Sequence, residues 1–203
     1  MTPAEVLAAV HAGALVVDTR PPAPFAAGHV PGALPVEFQL ADLTERAELL
    51  LPRGLGIVVH AEPEAAVLPS VGLLEDAGLE VRGHLDGGLA AWRGAGLPVA
   101  TLPMLEPAQL AARLGEFLVL DVREPYEHRF CRIPGSMLLP SGDAWAKAAA
   151  VDPAGRPVAV VCSGQGRSCF VAALLARCGV AAAVVRDGMW AWERDGHVVV
   201  RGA

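Results

Sequence analysis

The sequence predicts an α/β protein of two tandem domains, each a parallel sheet with helices on both faces. Two observations predict it: the chain repeats itself at a spacing near 100 residues, and within each repeat short apolar runs alternate with helical patterns. Strands written as continuous apolar runs, instead of alternating apolar and polar residues, belong to sheets covered on both sides. A chain of 203 residues has room for two such units.

The elements repeat in order. Thr2-Pro3-Ala4-Glu5 opens a helix, with a cap residue, proline at the first helical position and Glu three residues after the cap. Glu106-Pro107-Ala108-Gln109 repeats the pattern 104 residues later. The strand Val16-Val17-Asp18-Thr19-Arg20 matches Val119-Leu120-Asp121-Val122-Arg123, and Val30-Pro31-Gly32-Ala33 matches Ile133-Pro134-Gly135-Ser136, both displaced by 103. Ile57-Val58-Val59 then pairs with Val158-Ala159-Val160 at 101, and Gly88 and Trp92 pair with Gly188 and Trp192 at 100. A displacement that drifts downward through one unchanged order is the mark of duplicated units with small loop deletions. Each unit reads as a helix, an apolar strand ending in Asp-x-Arg, a Pro/Gly turn, a helix, a second apolar strand, a helix, a last strand and a Trp-bearing helix. Pro98 and Pro103 interrupt the periodicity, which puts a boundary between Leu97 and Leu105 and domains at 1–100 and 101–203.

Composition narrows the function classes. Hydrophobic residues make up 53% and charged residues 19%, enough to bury a core and too apolar for a disordered chain. The longest apolar stretch, Cys169 to Ala176, is too short to cross a bilayer, so no membrane partner is expected. A net charge of −6 without a Lys/Arg cluster argues against nucleic acid. Met1 to Gly13 has no basic segment ahead of an apolar run, so a cytoplasmic protein is expected. The halves differ: residues 1–100 hold 5 Arg and 12 Asp/Glu, residues 101–203 hold 11 Lys/Arg and 10 Asp/Glu, and Cys131, Cys162, Cys169 and Cys178 all lie in the second. They read as thiols; without paired Cys-x-x-Cys knuckles, neither a metal nor a cofactor is expected.

The chemistry points to one loop. The strand Val158 to Val161 runs into Cys162-Ser163-Gly164-Gln165-Gly166-Arg167, and Ser168 begins an apolar helix. Two glycines let the backbone curl so that successive amides face inward, and the unpaired amides of the following helix add positive potential. This environment favours an anion, and it predicts a lowered Cys162 pKa and a competent thiolate nucleophile. Arg167 adds forked donors suited to an oxyanion.

Here the chain resembles the rhodanese family of sulfurtransferases, almost end to end and twice. The matching segments are Asp121-Val122-Arg123-Glu124-Pro125-Tyr126-Glu127, Ile133-Pro134-Gly135-Ser136, the Cys162 to Arg167 loop followed by Ser168, and Asp187-Gly188 with Trp192. The resemblance implies a tandem thiosulfate sulfurtransferase. Cys162 and Arg167 would be catalytic, and Ser163, Gly164, Gln165, Gly166 and Ser168 would bind substrate. Its partners would be a small anionic sulfur donor and a thiol or cyanide acceptor, with a protein acceptor as a further option. Six residues from Cys162 through Arg167 match the sulfurtransferase loop; the related dual-specificity phosphatases and arsenate reductases carry one more. The chain departs from the family at Gln165, where single-domain members often have Gly, and at Cys131-Arg132, where Gly-His is usual. Arg132 is an auxiliary candidate that either adds positive potential near the site or sits on the surface. Thiosulfate, mercaptopyruvate and persulfide donors stay open, as does a role as a non-enzymatic persulfide carrier or interaction module.

In the first unit the same displacement lands on Ala61 and Ala66, with Glu62-Pro63-Glu64-Ala65 between them. Carboxylates and a proline without an N–H cannot present amides to an anion, so this unit is expected to be silent and His60 structural. Asp18/Arg20 and Asp121/Arg123 recur in both units and read as structural ion pairs. Trp92 and Trp192 read as core; Trp145 and Trp190, unpaired in the repeat, are open to lining a pocket, with core the favoured reading; Cys169 reads as buried and Cys178 as exposed.

Overall fold

The computed structural model describes residues 1–38 and 42–202. The chain divides into two compact units, Met1–Thr101 and Leu102–Ala203. The first runs α1 (Pro3–His11), β1 (Leu15–Asp18), α2 (Pro22–Ala27), β2 (Leu34–Pro35), α3 (Leu43–Leu50), β3 (Gly56–His60), α4 (Val67–Asp76), β4 (Glu80–His84) and α5 (Gly88–Gly94). Its strands order β2-β1-β3-β4, every ladder parallel. The second runs β5 (Met104–Leu105), α6 (Pro107–Ala112), β6 (Leu118–Asp121), α7 (Pro125–Phe130), β7 (Met137–Leu138), α8 (Ala144–Lys147), β8 (Val158–Val161), α9 (Gly166–Arg177), β9 (Ala182–Val185) and α10 (Gly188–Arg194). Its order is β5-β9-β8-β6-β7, again parallel.

The central strands β1, β3, β6 and β8 are buried at every residue, as sheets covered on both faces require. Among the described residues no helix is long and apolar enough to cross a membrane. α1 starts as the sequence predicts: Thr2 accepts the Glu5 amide, and the Glu5 carboxylate accepts the Thr2 amide. The repeated tryptophans are core. Trp92 Nε1 donates to the Pro98 carbonyl at 2.7 Å, and Trp192 Nε1 to the Val198 carbonyl at 2.9 Å.

The two-residue strands β2, β5 and β7 were not expected, and neither was one pair of helices. Between Asp-x-Arg and the Pro/Gly turn each unit inserts a six-residue helix, α2 or α7. Six residues are too few to show a helical period, so only the proline at the helix start announces it. Asp-x-Arg explains why the helix docks. In unit two Arg123 Nη2 donates to Asp121 Oδ2 at 2.7 Å and to the Cys131 carbonyl at the end of α7 at 2.6 Å. In unit one Arg20 does the same to Asp18 (2.6 Å) and to the Gly28 carbonyl (2.8 Å). Both pairs are buried, so each arginine ties a strand end to the close of the following helix.

Candidate active site

The parallel ladders bring the same two points together in each unit. Asp18 lies opposite His60 and Asp121 opposite Val161, so Ala61 and Cys162 hold the same place one residue past the strand. From there the second unit curls through Ser163 to Gln165 into α9, whose residues 168 to 175 are all buried. The apolar sequence of α9 fixes this loop from one side.

The other side is fixed by α10. The amides of Met189 and Trp190 donate to the carbonyls of Cys162 (2.8 Å) and Ser163 (3.0 Å). Asp187 and Gly188 enter that helix with φ of 52° each, in the left-handed region. A Cβ on Gly188 would collide with the Cys162 carbonyl and lie 2.5 Å and 2.8 Å from those of Gly164 and Ser163. Only glycine allows so close a backbone approach. The loop carbonyls are thereby turned toward α10. Gln165 adds a bond from Nε2 to Asp187 Oδ1 at 2.9 Å.

Cys162 Sγ lies 3.3 Å from Ser168 Oγ and is almost wholly buried, at 2% exposure. Burial pushes its thiol up, although the Ser168 hydroxyl and amide, the Arg167 charge and the Gly164 amide all pull it down. The lowered pKa expected from the loop's dipoles is therefore not what the folded chain has: the dipoles are present, and desolvation of the sulfur outweighs them. Where sulfur attack needs the thiolate, its rate is expected to rise about tenfold per pH unit through neutrality and beyond. A pH profile of the alkylation rate by iodoacetamide that is flat above neutrality would contradict this.

The Arg167 fork is engaged within the chain. Its Nη1 and Nη2 donate to Glu127 Oε2 and Oε1 at 2.7 Å and 3.0 Å, and Nη2 also donates to Ser163 Oγ at 2.9 Å. Ser163 Oγ in turn donates to Glu127 Oε1 at 2.8 Å. Burial alone would raise the Glu127 pKa, but Arg167, the Glu124 amide and the Ser163 hydroxyl hold it at about 2. Glu127 is the site residue that sequence reasoning missed. It stands in the Asp121 to Glu127 motif, but only the unpredicted helix α7 shows that it reaches the loop.

Arg132 is half-buried, and its backbone bridges Val200 at 2.9 Å in both directions. Cys169 is buried and Cys178 exposed. The Cys131 thiol donates to the Glu193 carboxylate, and burial with that carboxylate pushes it up to about 11. Trp190 departs from the favoured core reading and takes the pocket-lining alternative. It is 71% exposed and its ring lies over Gly164, while Trp145 is half-buried.

The first unit has no such loop. His60 is buried with Nδ1 3.0 Å from Asp18 Oδ2 and Nε2 3.2 Å from Glu62 Oε1. Glu62 Oε1 also accepts the Leu89 amide at 3.1 Å, so a carboxylate meets α5 where loop carbonyls meet α10.

The family described as Rhodanese-like domain matches residues 2–95 and again 106–195. The HTH-type transcriptional regulator Rv0324 of Mycobacterium tuberculosis is 41% identical over 103 residues, 49% of this chain and 43% of that regulator, so the chain spans less than half of this relative's length. A rhodanese-related protein of Thermoplasma volcanium is 28% identical over 48% of this chain and 97% of its own, with a TM-score of 0.46. The thiosulfate sulfurtransferase of Pseudomonas aeruginosa is 26% identical over 100% of this chain and 43% of its own, with a TM-score of 0.45.

Proposed function

Because this chain belongs to the rhodanese-like domain family in both of its units, we propose that it is a sulfurtransferase in which Cys162 carries the sulfur and the first unit is a non-catalytic scaffold. The observation that carries the proposal is the placement of Cys162 Sγ between the Ser168 hydroxyl and the inward-turned Gly164 and Ser168 amides. These groups suit an anionic sulfur, whether thiolate or persulfide, throughout a cycle.

The Cys162 thiolate attacks the outer sulfur of thiosulfate or a related donor. The donor's sulfur–sulfur bond breaks with its electron pair leaving on sulfite, and Cys162 keeps the outer sulfur as a persulfide. A thiol or cyanide acceptor then attacks that sulfur, and the electron pair returns to Cys162. Arg167, held by Glu127 and Ser163, keeps the loop closed and contributes its charge without swinging free. The two units differ at the point that matters: Ala61 and Ala66 offer neither a nucleophile nor a cation.

The test is intact mass after separate incubation with thiosulfate, mercaptopyruvate and glutathione persulfide. One added sulfur is expected from at least one donor, and Cys162→Ser is expected to abolish it. No adduct from any donor would sink the reading. The regulator name carried by one relative favours a second reading, a persulfide carrier or interaction module within a larger system. Sustained turnover with free donor and cyanide separates enzyme from carrier, and hydrolysis of p-nitrophenyl phosphate would instead point to phosphatase chemistry.

A further inference from the structure

Beside the loop lies a hollow of about 250 Å³, lined by Tyr126, Glu127, Phe130, Ser163, Trp190 and Glu193 among others. Its two walls follow from helix geometry. Tyr126 and Phe130 are one turn apart on α7, and Trp190 and Glu193 are one turn apart on α10, so each pair shares a face. All three aromatic rings are largely exposed. Three charged side chains line the hollow. Arg123 is paired with Asp121 and Glu127 with Arg167. Among the described residues Glu193 is partnered by the neutral Cys131 thiol and, at 3.9 Å, by the exposed Arg201. A carboxylate among exposed aromatic faces is a setting for a cation, and the chain itself puts one there: the Arg201 guanidinium lies 5.9 Å from the centre of the Phe130 ring as well as against Glu193.

We infer that this hollow selects a positively charged thiol as the sulfur acceptor, its ammonium group held by Glu193 and the aromatic rings while its sulfur faces the Ser163 side of the loop. The inference rests on the sulfur-transfer reading above and names the acceptor class for it. In the step, the acceptor thiol attacks the outer sulfur of the anionic Cys162 persulfide and brings the proton that this sulfur takes. The sulfur–sulfur bond breaks with its electron pair going to Cys162 Sγ, and the acceptor leaves as its own persulfide with the proton on the outer sulfur. Arg201 competes for the same place, so its removal strengthens the preference.

The experiment loads the full chain with sulfur, verifies the adduct by mass, and then measures discharge by cysteamine, 2-mercaptoethanol and mercaptoacetate. Each rate is divided by that of the same thiol with free glutathione persulfide, which removes differences in intrinsic nucleophilicity. Cysteamine is expected to exceed mercaptoacetate by about fivefold or more. Glu193→Gln, which keeps an oxygen for the Cys131 thiol, is expected to level the two, and Arg201→Ala to widen the gap. Equal normalised rates in the loaded wild type, or an unchanged ratio in Glu193→Gln, overturn the inference and leave the sulfur-transfer reading intact. Failure to load overturns both, and it shows before any acceptor is added.

Discussion

Gly188→Ala is expected to slow sulfur loading of Cys162 by about a hundredfold, because an added methyl group has no place except among the carbonyls of Cys162, Ser163 and Gly164. Those atoms are backbone, so relief requires moving the loop or breaking the bonds from Met189 and Trp190. The left-handed φ adds its own strain, and together these effects cost about 2–4 kcal/mol. Gly88→Ala is the matched control. It has the same φ sign, but the methyl group meets the end of the Glu62 side chain at 2.6 Å, and that side chain can turn away. The first unit then loses some stability, and loading stays within about twofold of wild type. Loading rates by mass, alongside thermal unfolding of both variants, decide the matter. Wild-type loading in Gly188→Ala would mean that α10 does not hold the loop.

The second large effect is on folding. Asp121→Ala leaves the Arg123 guanidinium buried without its carboxylate and also removes the acceptor of the Arg123 amide, which donates to Asp121 Oδ1 at 3.1 Å. Stranding a buried charge costs about 3–5 kcal/mol, which in a unit of this size lowers Tm by roughly 10–20 °C or more. Adding Arg123→Met to Asp121→Ala is expected to recover most of that loss, because the stranded charge is gone. What remains is about 1 kcal/mol for the Cys131 carbonyl left without its donor. A double variant no more stable than Asp121→Ala would show that the pair acts through something other than charge. Thermal melts of the three proteins make the comparison.

How far the sequence could be read follows from the range of each interaction. The duplicated strands, the Asp-x-Arg pairs and the core tryptophans are legible because each has a local pattern and recurs about 100 residues on. The strand–loop–helix course through Cys162 is legible for the same reason: glycines and an apolar helix flank it. What escaped depends on contacts across the fold. Glu127 meets Arg167 from 40 residues away, through a helix too short to show a period. Trp190 sits on the same short helix as the buried Trp192, and no pattern in seven residues says which of the two faces solvent. The upward shift of Cys162 depends on how completely the surrounding elements exclude water, and a list of nearby dipoles does not contain that quantity.

The carboxylate of Glu62 has a consequence for how the two units could change over time. Once it accepts the Leu89 amide and sits against His60, the first unit has filled the opening that the second keeps for loop carbonyls. Placing Cys at 61 and Arg at 66 would then set a thiol beside a negative charge and leave its new cation drawn to Glu62, with no amides to receive the sulfur. A return to sulfur chemistry would need several substitutions together, each unfavourable without the others. The divergence of the two copies thus runs easily in one direction only, and the acceptor at the start of α5 is the catch that keeps it from running back.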